Sequence, residues 1–290
     1  MKFPSIKTVA ELLKPITWFP PMWAYACGVI STGESIELHW GLVLWGIVLA
    51  GPMVCACSQA SNDWFDRHVD AINEPNRPIP SGRMPGRWGL GLAIVWTLLS
   101  LLWAWFLGTW AFRAAALGLV LAWAYSAPPL RFKQNGWIGN AACALSYEGL
   151  AWITGAAVML GNQMPRKEII VFALLYSLGA HGIMTLNDFK AIEGDRVMNV
   201  RSLPVLMGPK GAAWMACLIM ILAQWSVSIL LQHSGQTGSA WGVFILSLCQ
   251  LPLMYQFVRR PVAKALSVSA FGVPLYVSGM MVSAFALRSM

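Results

Sequence analysis

The feature that most constrains this chain is a series of uncharged apolar runs, each long enough to cross a lipid bilayer. A membrane-spanning helix needs about 20 such residues. Only 11% of the 290 residues are charged, whereas soluble domains carry roughly 25%. Because a helix satisfies its own backbone hydrogen bonds in hydrocarbon, the sequence predicts an all-α integral membrane protein. We expect a single domain over residues 1–290.

The apolar runs predict nine transmembrane helices. The stretch from Gly211 to Val258 is too long for one span, and the polar residues from Gln232 to Gln236 supply a turn within it. Gly108 separates the third helix from the fourth. The predicted helices are 17–33, 41–61, 88–108, 110–127, 137–159, 168–187, 211–231, 239–258 and 265–287.

The distribution of Lys and Arg predicts the orientation in the membrane. The amino terminus and the even-numbered connections together carry 16 of these residues, including Lys2, and the other side carries four. By the positive-inside rule the amino terminus is cytoplasmic. The net charge of +8 is thereby explained by topology, and we expect no nucleic-acid partner.

Two acidic segments, 62–83 and 187–208, interrupt the apolar sequence and resemble each other. Each begins with Asn-Asp-aromatic, has an Asp eight residues after the leading Asn, and continues to Arg-x-x-Pro. In order, these residues are Asn62, Asp70 and Arg77 in the first segment, and Asn187, Asp195 and Arg201 in the second. The two segments follow helices of the same predicted direction, so we expect two halves of one site at the cytoplasmic face.

The first acidic segment has the spacing of a metal-binding helix face. If the second helix continues beyond residue 61, Asn62, Asp66 and Asp70 lie at i, i+4 and i+8 and share one face, about 12 Å long. Mg²⁺ prefers oxygen ligands and is held by one or two carboxylates together with substrate phosphates. The alternative is that these acids cap helices and pair with nearby arginines, and Arg67, Arg77 and Arg201 are also explained as ordinary cytoplasmic cations.

Two ionisable residues lie deeper in the predicted helices. His181 precedes Asp188 by seven residues and lies about 10 Å deeper on the same face. There it would contact an apolar substrate, or else it forms a hydrogen bond between helices. Glu148 lies near the middle of the fifth helix, where an acid is either functional or matched by a buried partner.

Several motifs give the chain a family resemblance. The stretch NDWFDRHVDAINEPNRPIPSGR at 62–83 contains NDxxDxxxD, and YSAPPLRFK and NDFKAIEGDR follow at 125–133 and 187–196. These motifs resemble the UbiA superfamily of intramembrane prenyltransferases, and within it the chlorophyll and bacteriochlorophyll synthases. The opening KPITWFPPMWAYACG at 14–28 is most similar to the bacterial members of that group.

The resemblance implies both a reaction and an architecture. A geranylgeranyl or phytyl diphosphate would esterify the propionate of a (bacterio)chlorophyllide and release pyrophosphate. The helices would form a ring around a central cavity, capped on the cytoplasmic side by the loops after helices 2 and 6. The membrane would be the inner membrane, either cytoplasmic or intracytoplasmic and photosynthetic, and the sequence identifies no protein partner.

The resemblance also implies roles for individual residues. The catalytic residues would be Asp66, Asp70, Asp188 and Asp195, and the Mg²⁺ ligands these four with Asn62 and Glu193. The substrate-binding residues would be Asn62, Arg67, Arg77, Tyr125, Arg131, Lys133, His181, Asn187, Lys190 and Arg201. One position departs from the family, since many members carry Asp where this chain has Ala191.

Other functions remain open at this stage. Within the enzyme class, the alternative is a UbiA-type prenyltransferase that acts on a quinone precursor or on haem. A membrane cation transporter is a different class, although transport sites usually lie near the midplane on broken helices. A non-catalytic pigment-binding protein is disfavoured because only one of the four histidines, His181, lies clearly within a predicted span.

Overall fold

The computed structural model describes residues 3–290, except for the side chain of Asn73; Lys2, counted above, lies outside the described residues. Within that range the chain folds into helices joined by short connections. Their bounds are α1 Ile6–Leu13, α2 Phe19–Ser31, α3 Ile36–Ile72, α4 Trp88–Leu107, α5 Thr109–Ser126, α6 Gly136–Met159, α7 Lys167–Asp188, α8 Ile192–Val197, α9 Leu203–His233, α10 Thr237–Arg259 and α11 Pro261–Arg288.

Each of the nine predicted segments falls on one of these helices. Seven of them, namely α3, α4, α6, α7, α9, α10 and α11, are long and apolar enough to cross a membrane. The other two are α2, which has 13 residues and is about 20 Å long, and α5, which carries Arg113. The chain is therefore a multi-pass membrane protein, and the count of nine spans stays a prediction.

Helices α2 and α6 approach each other closely because glycines lie at their contact. A Cβ atom on Gly28 would lie 2.0 Å from the carbonyl oxygen of Trp152, and one on Gly155 would lie 2.2 Å from that of Tyr25. Small residues allow backbones to approach in this way where lipid removes the usual hydrophobic drive for association. The contact fixes one wall of a cavity that lies among the helices.

A cluster of buried aromatic residues joins α2, α6, α7 and α11. Trp152 stacks on Tyr176 with ring centroids 5.6 Å apart, and its indole donates to the Ser31 hydroxyl at 3.1 Å. The Tyr276 hydroxyl donates to the carbonyl oxygen of Tyr176 at 2.8 Å. Buried aromatic side chains need such partners for their polar atoms, and together these bonds hold the four helices in register.

Three helices contain π-helical segments, which the sequence did not predict. They are Leu49–Cys55 in α3, Leu145–Leu150 in α6 and Val268–Gly272 in α11. Such segments widen a helix locally and are frequent at functional sites. All three contribute residues to the wall of the same cavity.

The connections at the acidic end of the helices are tied to one another. Arg201 donates its backbone N–H to the carbonyl of Gln134 at 2.9 Å, and its own carbonyl accepts from the N–H of Gly136 at 2.9 Å. This main-chain bridge joins the connection after α5 to the one after α8. At the other side, Lys14 after α1 pairs with Asp63 on α3 at 2.6 Å.

Candidate active site

A cavity of about 500 Å³ lies among the helices. Residues from α2, α3, α5, α6, α7 and α11 line it, and most of its surface is apolar. Its polar end contains Asn62, Asn140, Asn187 and Asp188, which lie where α3, α6 and α7 meet the acidic segments. Among the described residues that line the cavity there is no Lys or Arg.

The first acidic segment lies on α3, which continues without interruption to Ile72. Asn62, Asp66 and Asp70 therefore occupy successive turns of one helix, as the spacing predicts. The Asn62 amide donates to Asp66 Oδ2 at 2.9 Å. Asn62 itself lines the cavity, so the series of oxygen ligands starts at the cavity and runs outward along the helix.

Asp66 is paired with two cations from the connection after α5. Lys133 Nζ forms an ion pair with Asp66 Oδ1, and Arg131 Nη2 lies 3.8 Å from the same oxygen. Burial lowers the pKa of the Lys133 ammonium, and the neighbouring Asp66 carboxylate opposes that change. Asp66 is hydrogen-bonded to the cavity residue Asn62, so both cations are connected to the polar end of the cavity through Asp66.

Arg77 joins the connection after α3 to the helix itself. Its Nη1 lies 2.8 Å from Asp70 Oδ2 and 3.4 Å from Asp63 Oδ1. Burial lowers the pKa of the Arg77 guanidinium, but Asp63 and Asp70 outweigh that effect and leave the pKa raised. Arg77 is therefore held as a cation beside the acids, and its contact with a substrate stays a prediction.

The second acidic segment begins at the end of α7. Asp188 accepts a hydrogen bond from Asn140 on α6 at 3.1 Å and lines the cavity. Asp195 lies on α8, where burial raises the pKa of its carboxyl. Glu193, on the same short helix, is exposed. Asp188 is thus the acid of this segment that is built into the cavity wall.

The remaining predicted contacts are divided between the cavity and the surface. Tyr125 and Asn187 line the cavity, whereas Lys190 and Arg201 are exposed. Arg67 donates to the Trp64 carbonyl at 2.7 Å and lies 4.2 Å from that ring. Substrate contacts of Lys190, Arg201 and Arg67 stay predictions.

His181 is not among the residues that line the cavity, and its contact with the substrate stays a prediction. Its Nε2 lies 3.2 Å from the Trp137 carbonyl on α6, so it forms the interhelical bond that was the alternative. At about 100° per residue, Ile183, Met184, Asn187 and Asp188 define the cavity face of α7. His181 lies roughly 90° from the centre of that face. It is therefore outside the cavity wall even though it lies on the same side of α7 as Asp188.

Glu148 is also separate from the cavity lining. It is 3% exposed, lies in the π-helical segment of α6, and its Oε2 has no hydrogen-bond partner among the described residues. Its position favours neither a functional role in the cavity nor the alternative of an acid matched by a buried partner.

The donor chemistry of the site fits Mg²⁺. The described residues contain no group of three His, Cys, Asp or Glu side chains arranged to hold a metal by themselves. Mg²⁺ sites formed by one or two carboxylates and substrate phosphates do not need such a group. Asn62 and Asp188, one from each acidic segment, line the same cavity, and both offer the hard oxygen ligands that Mg²⁺ prefers.

Sequence reasoning missed two side chains that hold this site. Asp63 is 1% exposed and is paired with both Lys14 and Arg77. Asn140 positions Asp188 across 48 residues of sequence. The Asp that follows the leading Asn in both acidic segments was a signal for Asp63, whereas no spacing rule connects Asn140 with Asp188.

Fold and site together define a polytopic helical membrane protein with an apolar cavity, an acidic polar end and cations beside it. The model of the UbiA prenyltransferase family matches residues 15–277. The chain belongs to that family.

Named relatives and solved structures agree with this assignment. The chain is 54% identical to the bacteriochlorophyll synthase 33 kDa chain of Rhodobacter capsulatus, covering 98% of this chain and 94% of the relative. It is 39% identical to the chloroplastic chlorophyll synthase of Avena sativa, covering 95% and 75%. A UbiA homologue from Archaeoglobus fulgidus bound to GPP and Mg²⁺ has the same fold, with a TM-score of 0.66 and 21% identity, covering 98% of this chain and 100% of that one.

Proposed function

We propose that this protein esterifies the propionate carboxylate of a (bacterio)chlorophyllide with a geranylgeranyl or phytyl group from the prenyl diphosphate, releasing pyrophosphate. The observation that carries the proposal is the convergence of both acidic segments, through Asn62 and Asp188, on one apolar cavity. The names of the relatives from Rhodobacter capsulatus and Avena sativa support the choice of pigment as acceptor.

The diphosphate binds at the polar end of the cavity and the prenyl chain lies in its apolar part. Mg²⁺ would be held by Asn62, Asp66 and Asp70 on one side and by Asp188 and Asp195 on the other, with Glu193 as a further candidate ligand. When bound, Mg²⁺ stabilises the negative charge that develops on the leaving pyrophosphate. The Mg²⁺ complex of the Archaeoglobus fulgidus homologue supports the use of a divalent metal.

Lys133 and Arg131 exchange partners when the diphosphate binds. In the free protein both cations are paired with Asp66. A bound phosphate offers them more oxygen atoms than one carboxylate and frees Asp66 to act as a metal ligand. Charge-assisted bonds of this kind are among the stronger hydrogen bonds, so the two cations neutralise the leaving group as its charge grows.

The ester forms by substitution at C1 of the prenyl group. The C1–O bond to the diphosphate breaks, the pyrophosphate keeps the electron pair, and a carboxylate oxygen of the pigment forms the new bond to C1. The carboxylate is already ionised at neutral pH, so no general base is required. The apolar cavity lining keeps water from the allylic carbon.

We also infer how the protein lies in its membrane. Nine helices surround the cavity, the amino terminus faces the cytoplasm, and the connections after α3 and α7 form a cap over the polar end. The ion pairs of Arg77 and Lys14 with Asp63 and the main-chain bridge at Arg201 support such a cap. The family match over residues 15–277 supports one domain in the inner membrane.

The proposal is tested with purified protein in detergent or nanodiscs. Bacteriochlorophyllide, chlorophyllide and 4-hydroxybenzoate are each incubated with geranylgeranyl diphosphate and Mg²⁺, and products are separated by chromatography. We expect a pigment ester that disappears with a chelator and returns with excess Mg²⁺. Prenylation of 4-hydroxybenzoate alone, or Mg²⁺ flux in proteoliposomes that is insensitive to prenyl diphosphate, contradicts the proposal.

A further inference from the structure

A small polar cluster lies in the cavity wall beneath the polar end. Tyr147 Oη accepts a hydrogen bond from the Gln59 amide at 3.1 Å. It also lies 3.5 Å from the Cys55 sulfur, whose single proton is donated to the nearer Thr17 carbonyl oxygen at 3.3 Å. A phenol has one proton to donate and two lone pairs. Gln59 uses one lone pair of the phenol oxygen, and the acceptor beside the phenol proton is the Cys55 sulfur, which is a weak acceptor. The proton is therefore available to a stronger acceptor such as a carboxylate. Tyr147, Gln59 and Cys55 all line the cavity.

The cluster lies between the two half-sites and one step deeper. Gln59 precedes Asn62 by three residues on α3, about 4.5 Å along the helix. Tyr147 follows Asn140 by seven residues on α6, and Asn140 holds Asp188. A group that attacks C1 from the side opposite the diphosphate must lie a few ångströms below the phosphates, which is the depth of this cluster.

The acceptor carboxylate has no cation to bind inside the cavity. Since no Lys or Arg lines it, a carboxylate that enters must be stabilised by neutral donors. Several neutral donors of the lining are already committed to partners in the protein. These are the Tyr25 hydroxyl to the Leu42 carbonyl, Thr154 to Leu150, Ser58 to Cys55, and Asn140 to Asp188.

The Tyr147 hydroxyl is different because the acceptor beside its proton is the Cys55 sulfur, which is a weak acceptor. Next to it in the same π-helical segment, Ser146 lines the cavity and its hydroxyl has no hydrogen-bond partner among the described residues. Two adjacent hydroxyl groups can each donate to one oxygen of a carboxylate. A hydrogen bond from a neutral donor to a carboxylate is charge-assisted and short, yet it leaves the oxygen lone pairs available for attack.

We propose that Tyr147, oriented by Gln59 and Cys55, binds the carboxylate of the acceptor and aims it at C1 of the prenyl diphosphate. This inference rests on the proposed function and specifies its acceptor site. Tyr147 keeps its proton throughout, since one carboxylate oxygen forms the bond to C1 as the pyrophosphate leaves. The product ester is a neutral and weaker acceptor, so the same hydrogen bond weakens after reaction and favours product release.

Tyr147→Phe is the direct test, because it removes the hydroxyl and keeps the ring. A lost hydrogen bond to a charged group corresponds to roughly a tenfold to hundredfold change. We expect the KM for the pigment to rise by that factor while the KM for the prenyl diphosphate stays the same. The wild type should also bind the free acid more tightly than the pigment's propionate methyl ester, and Tyr147→Phe should lose that preference.

Tyr276→Phe is the matched control. It also removes a buried phenol hydroxyl, which donates to the Tyr176 carbonyl, but it lies outside the cavity lining. We expect lower thermal stability and an unchanged KM for the pigment. Gln59→Leu removes a donor that orients Tyr147 and should raise the pigment KM by a smaller factor, so it provides the test if Tyr147→Phe does not fold.

The outcomes separate the two proposals. If the wild type esterifies a pigment but the pigment KM is unchanged in the folded Tyr147→Phe or Gln59→Leu variant, or both substrates lose affinity equally, the assignment of Tyr147 is wrong and the proposed function stands. If the wild type esterifies no pigment while it prenylates another acceptor, both are overturned. A selective rise in pigment KM with loss of the acid-over-ester preference supports both.

Discussion

The contact between α2 and α6 predicts how the protein responds to a single methyl group. Gly155→Ala would place a Cβ atom 2.2 Å from the Tyr25 carbonyl oxygen. Ordinary contact begins at 3.4 Å, so the two helices must separate by about 1.2 Å or the backbone must distort. Overpacking of this kind destabilises by about 1–3 kcal/mol. Tyr25 lines the cavity, so the separation also changes the shape of the site.

A second substitution at the same contact should not be additive. Gly28→Ala places its Cβ atom 2.0 Å from the Trp152 carbonyl oxygen and requires the same two helices to separate, by about 1.4 Å. Once one substitution has moved the helices apart, much of the space that the second Cβ atom needs is already present. The loss in the double variant should therefore be smaller than the sum of the two single losses, as is usual for residues that share one contact.

The assay is thermal unfolding of the purified protein, followed by tryptophan fluorescence, together with the esterification rate. Gly91→Ala is the control, since Gly91 lies within α4 and its added Cβ would meet nothing within 4 Å. We expect that control to match or exceed the wild-type melting temperature, because Ala favours helix over Gly. The reasoning is refuted if Gly155→Ala has the same melting temperature as the Gly91→Ala control. It is also refuted if the loss of stability in the double variant equals the sum of the two single losses.

The other predictions concern the polar end of the cavity. Asp66→Asn should lower kcat/KM by at least about a hundredfold in a folded protein, and full activity in that variant contradicts its assignment. Lys133→Met should raise the KM for prenyl diphosphate by roughly tenfold or more without changing the pigment KM, as steady-state kinetics will show. Arg77→Met should destabilise by about 1–3 kcal/mol, because Asp63 is 1% exposed. Arg83→Met removes a partly exposed pair with Glu11 and exposed hydrogen bonds to Asn76 and Ser81, and it should cost less, about 0–1 kcal/mol, in the same melting experiment.

Much of the fold could be predicted because bilayer thickness fixes the length of a spanning helix. Uncharged runs therefore located nine of the eleven helices and the turn near His233 between α9 and α10, but not the short helices α1 and α8. The π-helical segments could not be predicted, since they depend on contacts between helices and have no sequence period of their own. Nor could the break at Gly208, where φ is 72° within the sequence of α9.

The site was predictable only where its residues share one helix. Helical periodicity placed Asn62, Asp66 and Asp70 on one face of α3. It also placed His181 on the same side of α7 as Asp188, but the cavity face of that helix is centred roughly 90° away. The partners of the acids come from distant parts of the chain, as with Lys133 for Asp66, 67 residues away. Local spacing carries no information about such pairs, because they form only when separate helices pack.

The main-chain bridge at Arg201 bears on when the enzyme becomes competent during synthesis. A chain grows from its amino terminus, so α3 and the loop bearing Lys133 are made well before α8. Until residue 201 emerges, that loop lacks the backbone partner that holds it beside the acids. We expect a nascent or truncated chain to be inactive. An incomplete cavity would expose the allylic carbon of a bound prenyl diphosphate to water, and an inactive chain avoids that hydrolysis.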